Sequence, residues 1–297
     1  MPLVDVDAAV GTLRAGGLVG LPTETVYGLA ADGLDAAAVR GIFAAKGRPA
    51  DHPLILHVFE DPDAHGVADQ RARTLASAFW PGPLTLVLPR RAHVPLEVTG
   101  GQETVAVRAP AHPRAREVLR ALGRPLAAPS ANRFGRTSPT TAAHVLTEFP
   151  DLPVLDGGAC DVGVESTIVD LTGPDVHVLR PGGVSSDAIA DALRVTLSHA
   201  PRTTRAPGTL AAHYAPTTRV VVTDDLTRAC AEAEALGLRV GRLPAGNPSD
   251  HARRLYAALR ALDGRCDLIV AELASPGGLG DAVNDRLRRA AAAFEPR

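Results

Sequence analysis

The spacing of apolar positions changes twice between Leu18 and Val58. Leu18-Val19-Gly20-Leu21 is a short apolar run that ends at Pro22 and a hydroxyl-rich turn, Thr23-Glu24-Thr25. Ala36 to Lys46 has helical spacing, with Val39, Ile42 and Phe43 on one face. Asp35 is placed to cap the free N–H groups at its start. Gly47 suits the left-handed position past its end, and Pro49 prevents the helix from resuming. Pro53 to Val58 alternates, with Leu54, Leu56 and Val58 on one side and Ile55 and His57 on the other. The unit is expected to carry Thr25, Lys46, Arg48 and His57 toward loops at the sheet ends, where open α/β sheets bind ligands.

The same reading continues along the chain. Helices are predicted over Val6–Ala15, Arg71–Phe79 and Pro113–Leu122, and strands over Leu84–Leu88 and Thr104–Arg108. The second of these strands puts Thr104, Ala106 and Arg108 on one face. Pro125 to Asn132 reads as a small-residue strand entering a polar turn, and Arg133 to Pro139 as a flexible loop with two arginines and Ser138. Val164–Asp170 and Val176–Arg180 form a predicted hairpin, followed by a helix capped by Ser185 or Ser186. Strands of mixed direction among helices predict an α/β domain built on a mixed sheet over 1–200. Residues 201–217 read as a linker, and 218–297 as a smaller, parallel βαβαβα three-layer, Rossmann-like domain. Its strands are expected at Arg219–Val222, Arg239–Leu243 and Leu268–Ala271, and its helices near 226–236, 249–263 and 281–294.

Composition narrows the function classes. The 297 residues are 45% apolar and 22% charged, with a formal net charge of −2. That balance announces neither nucleic acid nor membrane, so RNA contact is expected to be weak and membrane association absent. Three separated cysteines without a Cys-x-x-Cys pair argue against zinc ribbons and disulfide scaffolds. With no basic, apolar leader at Met1, the expected location is the cytoplasm.

Candidate chemistry centres on Lys46, the only lysine beside many arginines. Lysine offers a compact point charge and arginine a planar fork, and the two are not interchangeable. Lys46 and Arg48 could equally complement the negative helix end. Taken singly, His57 reads as a half-buried structural histidine, and Thr25, Ser130 and Asn132 as turn formers. Arg108 beside Thr104 suits a carboxylate or phosphate, or an exposed edge pair. No G-x-x-x-x-G-K-[ST] loop, H-E-x-x-H or G-x-S-x-G motif is present. A phosphate site must therefore be built from side chains and turns. Gly277-Gly278-Leu279-Gly280 is not a dinucleotide fingerprint.

Several stretches together resemble one family. They are Pro22 to Leu29, Lys46-Gly47-Arg48-Pro49, Pro53 to Val58, Pro81 to Thr85, Ser130-Ala131-Asn132, Ser166 to Asp170 and Arg180-Pro181-Gly182. Pro207-Gly208, His213 to Pro216, Gly278 to Gly280 and Asn284 to Leu287 extend the match. In these the chain resembles the L-threonylcarbamoyladenylate synthases, the YrdC-like family, in its two-domain form. The resemblance implies synthesis of threonylcarbamoyl-AMP and pyrophosphate from L-threonine, bicarbonate and ATP, a nucleotidyl transfer that normally needs Mg2+ with the ATP. Separate transferase proteins would then carry the threonylcarbamoyl group to a tRNA adenosine beside the anticodon. It implies that Thr25, His57, Arg108, Ser166 and the Ala128 backbone hold threonine. It implies that Arg48, Thr104, Ser130, Ser138, Arg180 and Tyr214 hold ATP. Lys46 and Asn132 would complete a catalytic tetrad with Arg48 and Ser130. His52 stands where the family usually has asparagine, which puts its ATP contact in question. Residues 201–217, stiffened by Pro201, Pro207 and Pro216, would form a lid over the nucleotide. Two other readings remain. A non-catalytic RNA-binding module would use Lys46, Arg48, Arg108, Arg133, Arg136 and Arg180 as a basic concavity. A carbamoyl-adenylating enzyme with another substrate would carry zinc-finger cysteine pairs, which this chain lacks.

Overall fold

A computed structural model describes residues 3–198 and 203–295. Ten strands, β1 (Leu3–Val4), β2 (Val19–Leu21), β3 (Gly28–Asp32), β4 (Ile55–His57), β5 (Leu84–Pro89), β6 (Thr104–Arg108), β7 (Leu126–Ala127), β8 (Val154–Leu155), β9 (Thr167–Asp170) and β10 (His177–Arg180), form one sheet. Its order is β1-β8-β2-β3-β7-β4-β6-β5-β9-β10. β4 and β6 run parallel with His57 opposite Arg108, whereas β5 pairs antiparallel with β6, and β9 with β10. The sheet is therefore mixed, as the alternation of elements predicts.

The helices of this part are α1 (Val6–Arg14), α2 (Ala36–Lys46), α3 (Gln70–Phe79), α4 (Leu96–Thr99), α5 (Pro113–Leu122), α6 (Ala142–Glu148) and α7 (Ser186–Leu193). The Asp35 carboxylate accepts from Ala37 and Ala38 N–H, and Gly47 ends α2 at φ 62°. The Ser185 hydroxyl, not that of Ser186, caps α7. Leu54, Leu56, Val105 and Val107 turn into the main core with Val39, Ile42 and Phe43 of α2. The opposite face is covered in two portions. Helices α1 and α5 bury Leu13, Val118 and Leu122 over β2, β3 and β7. Over β4, β6, β5 and β9, the side chains of Ile55, Ala106, Val87 and Ile168 meet Ala206 of the linker.

The second domain has β11 (Arg219–Thr223), β12 (Val240–Leu243) and β13 (Leu268–Glu272) in the all-parallel order β11-β13-β12. Helix α8 (Leu226–Ala235) covers one face through Cys230 and Ala233. Helices α9 (Pro248–Leu262) and α10 (Leu279–Ala292) cover the other through Leu255, Leu259, Val283 and Leu287. This is the expected three-layer module. The expected boundary at 200/201, and Pro201 itself, lie outside the described residues. Among the described residues, no helix is long and apolar enough to cross a membrane.

Candidate active site

The cavity lies where the sequence reading expects it, at strand ends and the loops beside them: His57, Arg108 and Arg180 are the last residues of β4, β6 and β10, and Thr25, Arg48, Ser130 and Ser166 stand in loops. Ile55 and His57 both line it, because residues two apart on β4 share a face. Arg108 enters from β6, Thr23 and Thr25 from the turn before β3, Gly28 from the first position of β3, and Ala128 to Ser130 from the chain after β7. Glu165, Ser166 and Arg180 close a further side, and Pro207, Gly208, His213 and Tyr214 of the linker form a roof. The cavity volume is about 50 Å³, room for only a few waters.

One end is built for a carboxylate. Arg108 donates from Nε to Gly82 O (3.1 Å), from Nη1 to Thr25 Oγ1 (2.8 Å) and from Nη2 to Glu24 Oε1 (2.6 Å). A guanidinium has five N–H donors, so two remain. Ser166 Oγ lies 2.7 Å from Thr85 Oγ1 and accepts from Arg180 Nη2 at 3.2 Å. Burial, with Arg108 beside it, lowers the His57 pKa to about 3, so this imidazole is neutral. Its Nδ1 is buried with no partner among the described residues. Buried polar atoms normally have partners, and exceptions inside a cavity mark where a ligand binds.

The other end is cationic. Arg48 Nη2 donates to Pro53 O at 2.8 Å, while its Nε is buried with no partner among the described residues. Lys46 is 3% exposed and donates to the carbonyls of Ser130 and Asn132, each at 2.5 Å. Burial and neighbouring Arg48 push its pKa well down. The two carbonyls oppose that drift, because an ammonium is a pure donor. Asn132 Nδ2 donates to the carbonyls of Arg133 and Arg136, leaving Oδ1 buried without a partner among the described residues. Arg180 donates to Ser166 O (2.8 Å) and reaches across to Pro207 O of the linker (3.0 Å).

The linker is strapped down at both ends. Arg205 bonds Gln102 and Gly100 on one side, and Arg289 of α10 holds the carbonyls of Thr209 and Leu210 on the other. Tyr214 adopts φ 63°, stacks on Tyr256 at 5.9 Å and directs its hydroxyl to Gly208 O. A Cβ on Gly208 would sit 2.0 Å from that hydroxyl oxygen, so only glycine allows the approach. His213 is nearly buried, and burial lowers its pKa to about 3.

These histidines make stability depend on pH. Both imidazoles are neutral when folded and protonate on unfolding below about pH 6.5. Their contribution is complete above that value and is lost as pH falls toward 3. Glu165, held at about 2, adds to the same trend below about pH 4.5. Urea unfolding is expected to show lower stability at pH 5 than at pH 7.5, on the order of 1 kcal/mol per pH unit for each histidine. An unchanged or rising stability toward pH 5 would contradict neutral, buried imidazoles.

Comparison with known proteins bears directly on this cavity. A family model described as Telomere recombination matches residues 11–182, and the model described as Threonylcarbamoyl-AMP synthase, C-terminal domain, matches 184–292. A curated relative from Pyrococcus abyssi named threonylcarbamoyl-AMP synthase is 41% identical over 95% of this chain and 92% of its own length. The chain belongs to the threonylcarbamoyl-AMP synthase family. A Bacillus subtilis relative of the same name is 37% identical over 95% of this chain and 92% of its own. A crystal structure of a Pyrococcus abyssi protein complexed with L-threonine superposes with a TM-score of 0.90 at 41% identity, covering 96% of this chain and 94% of that one. The two-domain α/β architecture read from the sequence is that of this family.

Of the family positions expected from the sequence, Thr25, Arg48, His57, Arg108, Ala128, Ser130, Ser166, Arg180 and Tyr214 line one cavity. Lys46 and Asn132 sit directly behind Ser130, and Ser138 binds the wall residue Glu165 (2.7 Å). His52 and Thr104 do not line it. His52 packs edge-on against Phe134 at 5.4 Å. Thr104 lies beyond Ala106 on the same face of β6. The expected flexible loop at Arg133–Pro139 is buried at Thr137 and Ser138 and pinned by Arg260 of α9 to the carbonyls of Thr137 and Ser138. Of the six cations that an RNA-binding module would use, Lys46, Arg48, Arg108 and Arg180 are buried, whereas Arg133 is exposed and Arg136 half-buried. Sequence reasoning missed Glu24, the carboxylate partner of Arg108, and the group Glu165, Tyr256 and Arg286. Only the matched Asn284-Asp285-Arg286-Leu287 stretch signalled the last of these.

Proposed function

We propose that this chain makes threonylcarbamoyl-AMP and pyrophosphate from L-threonine, bicarbonate and ATP. One observation carries the reading: a carboxylate-binding end and a cationic end share one cavity, and His57 Nδ1 at one end and Arg48 Nε at the other are buried with no hydrogen-bond partner among the described residues. The L-threonine in the solved relative supports the amino-acid half. Arg108 and Thr25 would take the threonine carboxylate, with His57 and Ser166 on its amino and hydroxyl groups. Arg48, Arg180, Ser130 and Tyr214 would face the nucleotide.

The chemistry follows from charge. Threonine's amine and bicarbonate condense to a carbamate with loss of water. A carbamate oxygen then attacks the α-phosphorus, and the bond to the β-phosphate oxygen breaks to release pyrophosphate. The nucleophile is already anionic, so the site needs no carboxylate base. Arg48 and Arg180 would offset the charge of both partners, and alignment would supply much of the remainder. Magnesium arriving with ATP would be held chiefly by phosphate oxygens. Glu165 is the only carboxylate among the described cavity residues, and Ser138, Tyr256 and Arg286 engage it.

A cavity of about 50 Å³ is far too small for ATP, since nucleotide-sized sites run to hundreds of Å³. In this reading the 203–217 segment would lift to admit ATP, and its return would shield a hydrolysable adenylate from water. Product would pass to separate tRNA-modifying proteins in the cytoplasm. The test is pyrophosphate release with ATP alone and with threonine or bicarbonate omitted in turn. Release that needs all three supports the reading, and release from ATP alone sinks it.

Arg108→Ala is expected to weaken threonine binding by about 10- to 100-fold, the value of a charge-assisted bond of roughly 1.5–3 kcal/mol. ATP affinity should move little. The variant also strands Glu24 as a buried, unpaired acid, so a fall in thermal stability is expected as well. Calorimetric titration of each substrate checks this, and a loss confined to ATP would count against the assignment.

A further inference from the structure

The cavity wall contains a group that works against anion binding. Glu165 lines the cavity close enough to Arg180 and Tyr214, two of the residues proposed to face the nucleotide, to interact with their charges. Burial alone would raise its pKa, but Arg286 and Arg180, with hydrogen bonds from Arg286 and Ser138, hold it at about 2, so it is a carboxylate at neutral pH. A fixed negative charge beside a triphosphate repels it unless a cation cancels the field.

That cation comes from the other domain. Arg286 of α10 has a fully buried side chain, and its Nε lies 2.7 Å from Glu165 Oε2. Its Nη2 donates to Pro181 O at 3.0 Å, and its guanidinium lies over the Tyr214 ring at 5.1 Å. Tyr256 of α9 donates to the same carboxylate at 2.8 Å. Nη1 of Arg286 meets Asp285 at 2.6 Å, and Asp285 is paired in turn with Arg289, which grips the linker carbonyls. Charges thus alternate from the cavity wall to the outer side of α10. Among the described residues, nothing beyond Tyr214 lines the cavity, so Arg286 acts through Glu165, which does.

We infer that Arg286 is a positioning residue for the nucleotide half of the site: it acts by cancelling the charge of Glu165, so the C-terminal domain sets the field of a cavity it does not line. The inference rests on the nucleotide reading given above. It assigns the second domain an electrostatic task in addition to anchoring the linker.

The test is direct binding of ATP, and separately of L-threonine, to the full chain by calorimetry. Arg286→Met removes the charge at similar length. It is expected to weaken ATP at least about tenfold, because one partner of a buried pair is left uncompensated, while threonine shifts less than about threefold. The Glu165→Gln/Arg286→Met double variant is expected to return ATP affinity to within about threefold of the parent. Equal losses for ATP and threonine, or no recovery in the double variant, overturn the inference. If Arg286→Met does not fold, Glu165→Gln and the double variant decide it. With the acid neutralised Arg286 is dispensable, so the two should bind ATP within about threefold of one another, and a tenfold gap overturns the inference. A parent that binds ATP but releases no pyrophosphate with threonine and bicarbonate sinks the proposed reaction and leaves the Arg286 inference to these affinities. A parent that binds no ATP sinks both.

Discussion

Lys46→Arg is expected to lower pyrophosphate release at least about 100-fold although the charge is kept, a loss of roughly 2.7 kcal/mol in transition-state stabilisation. The Lys46 ammonium reaches two carbonyls, Ser130 O and Asn132 O, at 2.5 Å each, from a helix end locked by Gly47. A compact tetrahedral donor fits between them. A planar guanidinium does not, and would push the 130–132 turn outward. That turn sets the Ser130 position on the cavity wall and the buried Oδ1 of Asn132 behind it. Overpacking of this kind costs about 1–3 kcal/mol of stability, so the fold should persist with a lowered melting temperature. Steady-state release within about twofold of the parent would contradict the account. Lys46→Met, which removes the charge without overpacking, should lose activity with a smaller drop in melting temperature.

Removing the linker and second domain by truncation after Ala200 is expected to abolish synthesis while leaving a folded first domain. The main core of the first domain, from Tyr27 to Ile189, is complete without residues beyond 200. The cavity is not. Its roof, Pro207 to Tyr214, would be gone, and Val26 and Val164, which pack with Tyr214 and Leu255, would be exposed. Glu165 would keep Ser138 but lose Arg286 and Tyr256. The 137–138 segment would lose Arg260. Circular dichroism should show retained secondary structure, and pyrophosphate release should fall to background. In the full chain, Tyr214→Ala should reproduce part of the defect, and ATP with threonine should protect the linker from protease. A truncated domain that makes and retains product like the full chain, with linker cleavage unchanged by ligands, would refute the lid.

What the sequence made legible follows the range of the interactions involved. Helix α2 was readable to its last residue because its signals are local: Asp35 caps it, Gly47 ends it, and Val39, Ile42 and Phe43 mark its buried face. The strand faces of Leu54 to His57 and Thr104 to Arg108 were readable for the same reason. Strand β3 was missed because Gly28-Leu29-Ala30-Ala31-Asp32 is small and short of β-branched residues, and its pairing with β2 and β7 alone makes it a strand. Helix α6 was overlooked although Thr141, whose hydroxyl accepts from His144 N–H, is a recognisable cap. The two-residue strands β1 and β8 carry too few positions for any period to register.

Site residues divide in the same way. The residues that gather around the cavity were recognisable as motifs, and their place at strand ends and adjoining loops was legible too; the linker that roofs them was not fixed by any local signal. Only the tertiary structure shows that Ala206 of the linker joins the apolar cluster of Ile55, Val87, Ala106 and Ile168 and that Thr104 stays out of the cavity lining. The pair Glu165 and Arg286 stands 121 positions apart, on different domains. No periodicity spans that distance, and each alone reads as an ordinary charged residue. The pairs Arg108 with Glu24 and Arg260 with Glu148 were hidden likewise.

The most direct measurement of the central claim is the product itself. Purified protein incubated with ATP, magnesium, L-threonine and ¹³C-labelled bicarbonate should yield a species with the mass of threonylcarbamoyl-AMP carrying the label, together with an equal amount of pyrophosphate. An unlabelled adenylate, an adenylate formed without threonine, or ADP and phosphate in place of pyrophosphate would contradict it.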